Sequence, residues 1–393
     1  MEGEALLSRN FVLCSLICFF CTVVFFMFYT GMSLYAVDEF GVSDAEAGLL
    51  ASLFVVGDLI SRVYFGNKLH VYGIKRITEC GMAAGTAVCM LYFVASGPLG
   101  LAAVRVLHGL TYGAVMSSVF TIAAEGLPPS RRGEGMGYFM LGLSVASALG
   151  PFVCMYLQRD GLYGEMFLIG LAASAAAAVC GAMIRDAGEE RAARPGRVAW
   201  KTLFERSSLR ISFIVFLFFF SYSGVLAFMS PYGRETGLSE YATYFFVFLS
   251  LGTMFCRLFL GRIYDLWGEN AALVPFFLLY VAGMLMIGTT DSGWVLLLAG
   301  VLIGLQIAMI GTVCQAIIVK RAPKARYGVA ISTYNIFFDL AYFAGPVVNG
   351  VLIGMTSHRD NYIAMAFVGL LSLISYLAMH GIKAHRRPEG EVG

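Results

Sequence analysis

Asp58 and Arg62 stand one helical turn apart in "VVGDLISRVYFG", inside a run that is otherwise apolar. A carboxylate and a guanidinium at this spacing can neutralise each other as an inert pair. Alternatively, the carboxylate can take up and release a proton as its surroundings change. Asp339, with Asn335 one turn before it, is a second carboxylate in an apolar run. Arg105 and His108, in "LAAVRVLHGL", share a helix face at i,i+3 spacing and could hold an anionic group or hand on a proton. A lone histidine can equally be a hydrogen-bonded packing residue. Cys14, Cys18 and Cys21 could also share a face, but no His or carboxylate lies near them. They read as small apolar packing residues, and no metal is expected.

The elements that must position these groups follow from composition. Of 393 residues, 59% are hydrophobic and only 13% charged, whereas a soluble domain carries about a quarter charged residues. The fold class is therefore an all-α, multi-pass membrane protein. A spanning helix needs about 20 apolar residues, and twelve such runs begin near Phe11, Ala45, Ile74, Pro98, Glu134, Gly164, Leu209, Tyr241, Ala271, Gly293, Tyr327 and Asn361. The first run is too long for the apolar stretch of a cleaved signal peptide, so no processing is expected. Of 27 Lys and Arg residues, 21 fall on one side of these spans, and only Arg159, Arg234 and Arg359 on the other. By the positive-inside rule both termini are expected in the cytoplasm, with the chain in the plasma membrane, the inner membrane of the cell. The basic residues are accounted for by topology, so no nucleic-acid partner is implied.

The second and eighth spans repeat each other, as "VGDLISRVYFGNKLHVYG" and "LGTMFCRLFLGRIYDLWG". A constant offset of 195 pairs Gly57 with Gly252, Arg62 with Arg257, Gly66 with Gly261 and Gly73 with Gly268. The same offset pairs Gly109 with Gly304, and Gly150-Pro151 with Gly345-Pro346. The first and seventh spans echo each other as "FFMFYTG" and "FFFSYSG", which puts Tyr29 opposite Tyr222. The chain thus divides into a six-helix half over residues 1–185, a linker over 186–208 and a second six-helix half over 209–393. Within the linker "AWKTLFER" places Trp200, Leu203 and Phe204 on one helical face, as in a short helix lying on the membrane surface; a solvated tether is the alternative. Two repeated halves suit alternating access around a site at their interface.

Over nearly its whole length the chain resembles the major facilitator superfamily, and within it the twelve-helix drug and metabolite proton antiporters. The loop "GRIYDLWG" is similar to that family's signature, with Gly261, Arg262, Asp265 and Gly268 in the expected places. The first copy, "GNKLHVYG", keeps Gly66 and Gly73 but has His70 where the family has Asp, which removes one expected gate contact. Leu101, Arg105 and Gly109 fit the family's arginine motif. "ASALGPFVCM" resembles its antiporter Gly-Pro motif, with Cys154 and Met155 replacing the trailing glycines. The resemblance implies that the helix of Arg105 lines a central cavity, to which Tyr29, Tyr222 and Gln306 contribute. It also implies that Asp58 and Asp339 could approach one another. Bottom-up, Gly150-Pro151 and Gly345-Pro346 are either bending points or packing points.

The repeat supplies a sorting rule. Residues present in both halves serve shared architecture, while polar residues present in one are candidates for function. Arg62 and Arg257 match; Asp58 corresponds to Thr253, Asp339 to Ser144, Arg105 to Gly300 and His108 to Ile303. An ionised Asp at the centre of a span costs about 2.5–3.5 kcal/mol on insertion scales, so it needs a partner or a water path. The expected function is secondary active transport of a small organic solute, as proton-coupled efflux. The alternative is a metabolite importer of the same fold, either a symporter or a facilitator. No enzyme motif and no cofactor are read from the chain. Its expected partners are the solute, protons and the bilayer, with the chain acting as a monomer.

Overall fold

A computed structural model describes residues 8–65, 69–128, 131–185, 205–323 and 326–382. The chain forms two compact units, Met1–Arg197 and Val198–Gly393. The first contains α1 (Arg9–Phe40), α2 (Asp44–Phe65), the single turn α3 (Leu69–Tyr72), α4 (Ile74–Leu91), α5 (Gly97–Glu125), α6 (Arg132–Arg159) and α7 (Tyr163–Ala182). The second contains α8 (Arg206–Thr236), α9 (Ser239–Thr289), α10 (Gly293–Arg321), α11 (Tyr327–Met355) and α12 (His358–Tyr376), the last extended by a wider turn over Leu377–Gly381.

Eleven of these stretches are long and apolar enough to cross a membrane, among the described residues. The remaining expected span is α4, which starts at Ile74 as its sequence indicates. It has only 18 residues, and Lys75, Arg76 and Glu79 occupy its first turns. The eighth and ninth spans run together as the 51-residue α9, broken only at Gly268, where φ is 76°. Gly73, 195 residues earlier, has φ 84° and precedes α4. Both repeats therefore reverse at a left-handed backbone position that costs a side chain dearly and glycine little. The signature residue Gly66, the surroundings of Gly261 and the side chains of His70, Arg262 and Asp265 lie outside the described residues. So does residue range 186–204, which holds most of the expected surface helix.

The 195-residue repeat extends to atoms. A methyl on Gly57 would strike the carbonyl of Val106, and one on Gly252 that of Val301; on Gly109 it would strike Phe54, and on Gly304 Leu249. All four contacts shift by the same offset, so α2 crosses α5 as the first part of α9 crosses α10, backbone against backbone. Small residues are what allow such an approach. Gly150 meets the Val23 carbonyl on α1, and Gly345 meets Phe220 and Ser223 on α8. Helices α6 and α11 both run on through their prolines. A packing reason for Gly150 and Gly345 is thus present on both sides of the repeat.

Within unit 1, α1 packs against α2, α5, α6 and α7; within unit 2, α8 packs against α9, α10, α11 and α12. Cys14, Cys18 and Cys21 are buried in a core with Ile17, Met82 and Val115, and the Cys21 thiol lies 3.9 Å from the Met82 sulfur.

Candidate functional site

Asp58 is buried at the α2–α5 crossing. Its carboxylate accepts two hydrogen bonds from Arg62, from Nε to Oδ1 at 2.9 Å and from Nη2 to Oδ2 at 2.8 Å. The pair is lopsided in exposure: the Asp58 side chain is 7% accessible and that of Arg62 36%. A paired fork of this kind is the stronger form of a charge-assisted bond.

The opposite wall is α5. A methyl on Gly109 would lie 2.8 Å from the Asp58 nitrogen, and one on Gly113 2.6 Å from both the Asp58 carbonyl and Oδ1. Gly113 is therefore the residue that makes room for both the backbone and the carboxylate of Asp58. In unit 2 the counterparts of Asp58 and Gly113 differ. Thr253 replaces Asp58, and its hydroxyl sits 3.0 Å from the Gly304 carbonyl and 3.1 Å from that of Leu249. Ala308 stands where Gly113 does, and Arg257 is exposed.

Arg105 is fully buried. It donates to the carbonyls of Ala51 (2.6 Å) and Leu50 (3.3 Å) and to the Tyr92 hydroxyl (3.5 Å), and it lies over the Phe54 ring at 5.1 Å. The Tyr92 oxygen is 3.1 Å from His108 Nδ1. Because Arg105 can only donate, the Tyr92 hydrogen is free to point at Nδ1, which then accepts and leaves the His108 proton on Nε2. Nε2 faces the Cys89 sulfur at 3.9 Å, and Cys89 in turn meets Ser174 at 3.2 Å. A cavity of about 20 Å³ beside His108, Thr111, Tyr112 and Ser174 is large enough for a single water.

The structure thus joins Asp58 to Arg62, and Arg105 to His108 through Tyr92, with Phe54 touching both the Asp58 seam and the His108 ring. Tyr29 is fully buried and packs on Phe25, at 5.5 Å between rings. In unit 2, Tyr222 and Asp339 are buried and Asn335 is half-buried. Gln306 is fully buried, and neither amide atom has a hydrogen-bond partner among the described residues. Sequence reasoning missed Gly113 and Tyr92. The first had a signal, since Gly109 and Gly113 form a small-xxx-small pair; the second had none. It also missed two His–Glu pairs, His358 with Glu235 and His380 with Glu269. Among the described residues no group of three His, Cys, Asp or Glu is arranged to hold a metal.

The family model described as Major Facilitator Superfamily matches residues 14–346, and again 272–392. The chain belongs to the major facilitator superfamily. It is 23% identical to an uncharacterized MFS-type transporter of Methanocaldococcus jannaschii over 357 residues, covering 88% of this chain and 92% of that one. It is also 23% identical to the multi-drug resistance efflux pump PmrA of Streptococcus pneumoniae, covering 88% of this chain and 91% of PmrA. Among solved structures, a mutant of the nucleoside transporter NupG superposes with TM-score 0.80 at 12% identity, covering 94% of this chain and all of that one. An inward-facing bacterial homolog of the human lysosomal transporter Spinster gives 0.74 at 14%, covering 99% and 100%. This major facilitator is a membrane-embedded transporter of a small-molecule substrate, working by alternating access.

Proposed function

We propose that this transporter exports a small organic solute in exchange for protons, with Asp58 as the coupling carboxylate. The observation that carries this reading is the asymmetry of the repeat. A buried ion pair in unit 1 occupies the place where unit 2 keeps a neutral hydroxyl bridge. A merely structural contact would have been served by threonine in both units. Similarity to a multi-drug efflux pump over most of both chains supports the direction.

In this reading Arg62 is the moving partner. Its side chain is the more exposed member, and its long stem lets the guanidinium swing towards water. While Arg62 is paired, the carboxylate is ionised and satisfied. When Arg62 departs, the carboxylate is left in a low-dielectric seam and takes a proton; re-pairing expels it. Arg105 is a positioning residue for the outward part of α2, because its donors are committed to the Leu50 and Ala51 carbonyls. Asp339 is a second coupling candidate, and Tyr29, Tyr222, Asn335 and Gln306 remain proposed cavity residues. The halves 1–185 and 209–393 act as the moving bodies of a monomer in the plasma membrane, with both termini cytoplasmic.

The test is substrate-triggered collapse of a pH gradient in everted vesicles across a compound panel, for wild type, Asp58→Asn and Asp339→Asn. Collapse in wild type that is lost in Asp58→Asn supports coupled export through Asp58. The second reading, a facilitator, draws on the fact that the Asp58–Arg62 pair is fully satisfied within one helix. It predicts solute equilibration without gradient collapse, at the same rate in both variants.

A further inference from the structure

One end of unit 1 carries a cleft of about 360 Å³ that the transport reading does not use. It opens where α1 and α4 begin and α5 and α7 end. Two helix starts and two helix ends oppose each other there, so their dipoles largely offset. Side chains therefore set the field. Arg9, Lys75 and Arg185 line the cleft, with Glu125 as the one opposing charge. Beneath them Ile122 and Ile184 give it an apolar floor.

The cleft is a constructed feature. The Asn10 side-chain amide donates to the Arg185 carbonyl at 2.9 Å and accepts from the Arg185 nitrogen at 3.0 Å. This reciprocal pair, between residues 175 apart in sequence, ties the end of α7 to the start of α1 and fixes the backbone from which the Arg185 guanidinium projects. Lys75 reaches Glu79 only at 3.7 Å, a long contact that an incoming anion can displace. The volume falls within the roughly 300–1,000 Å³ range of small-ligand sites. All three cations belong to the Lys- and Arg-rich side of the chain, which by the positive-inside rule meets the leaflet richest in anionic lipid.

We propose that this cleft binds a phosphate-bearing anion, with Arg9, Lys75 and Arg185 on the phosphate and the isoleucine floor against apolar carbon. The amphiphilic lining favours the headgroup of an anionic phospholipid over a soluble phosphate ester. Each basic side chain near such a surface strengthens attraction about fivefold. Occupancy would brace four helix ends of unit 1.

The experiment uses the purified full chain in detergent, with phosphatidylglycerol, phosphatidylcholine and glycerol phosphate as probes, and native mass spectrometry to count retained molecules. Wild type is expected to retain phosphatidylglycerol in preference to phosphatidylcholine. Lys75→Gln/Arg185→Gln should weaken retention about 25-fold, and Arg159→Gln, a cation of the opposite side, should leave it unchanged. Glu125→Gln should tighten it, a gain that misfolding does not produce. Competition by glycerol phosphate at equal potency would assign the site to soluble phosphate esters; failure to compete assigns it to lipid. Equal retention of both lipids, or equal retention by wild type and the double variant, overturns the proposal.

Discussion

Removing either member of the Asp58–Arg62 pair deletes the same two hydrogen bonds, yet the two losses should differ greatly. Asp58→Asn leaves a guanidinium whose side chain is already 36% accessible and can complete its escape to water. That resembles the loss of a surface pair and should cost at most about 1 kcal/mol. Arg62→Gln instead strands a carboxylate that is 7% accessible and packed against glycines of α5. A buried charge stripped of its partner costs about 3–5 kcal/mol. At roughly 2–4 °C per kcal/mol for a body of about 200 residues, Arg62→Gln should lower the unfolding temperature by about 6–20 °C and Asp58→Asn by less than about 4 °C. The double variant should return close to Asp58→Asn, because it contains no stranded charge.

Thermal unfolding of the purified protein, followed by intrinsic fluorescence between about pH 8 and pH 5, reads both effects. Acidification neutralises the stranded carboxylate, so the Arg62→Gln deficit should shrink as pH falls, while the Asp58→Asn deficit stays level. Equal damage from the two single variants would refute the argument. So would a double variant whose loss is the sum of the singles, or an Arg62→Gln deficit that grows in acid.

Three further outcomes are expected. Gly109→Ala and Gly304→Ala should each destabilise by about 1–3 kcal/mol or more, since each methyl meets a backbone carbonyl that cannot rotate away; paired unfolding curves check whether the two units suffer alike. Arg105→Lys should lose stability by about 1–3 kcal/mol despite keeping its charge, because one ammonium cannot reach the Leu50 and Ala51 carbonyls, Tyr92 and the Phe54 face together. His380→Ala should release the turn after α12, where His380 pairs with Glu269 and Asn270 donates to the Gly381 carbonyl at 3.0 Å. Faster amide exchange over residues 376–382, with α11 unaffected, is the readout.

Much of this architecture was legible because it is written in local or periodic form. Eleven of the twelve apolar runs mark the start of a long helix and the ninth begins just past the Gly268 break inside α9, and the 195-residue offset anticipates that the α2–α5 crossing recurs between α9 and α10. The Asp58–Arg62 pair was legible for a similar reason, since both residues lie on one helix and their spacing alone sets their meeting. Tyr92 was not. Its hydroxyl links Arg105 and His108 only because α4 packs against α5 at a particular rotation, which no residue type announces. The His380–Glu269 pair, 111 residues apart in the chain, depends likewise on helix ends that only the folded unit brings together.

The repeat makes the two crossings a natural double comparison. Four glycine contacts are conserved between them to the residue, so the backbones impose the same constraint on whatever occupies position 58 or 253. At 253 a hydroxyl spans the seam to the Gly304 carbonyl, and Ala308 is the repeat counterpart of Gly113. At 58 a carboxylate occupies the seam, and the facing residue is Gly113, where a methyl would press on both Oδ1 and the Asp58 carbonyl. Two positions on different helices therefore differ together between the units, and in unit 1 both leave room for a charge. A seam built only for packing gains nothing from that exchange, because an ion pair at this depth competes poorly with well-packed neutral groups. The exchange is intelligible if the charge is used. Placing the unit 2 hydroxyl at this site with Asp58→Thr alone, so that Gly113 still clears the residue-58 carbonyl, should then keep unit 1 folded while gradient collapse in everted vesicles is lost. An Asp58→Thr protein that still couples solute to protons would locate the proton carrier elsewhere.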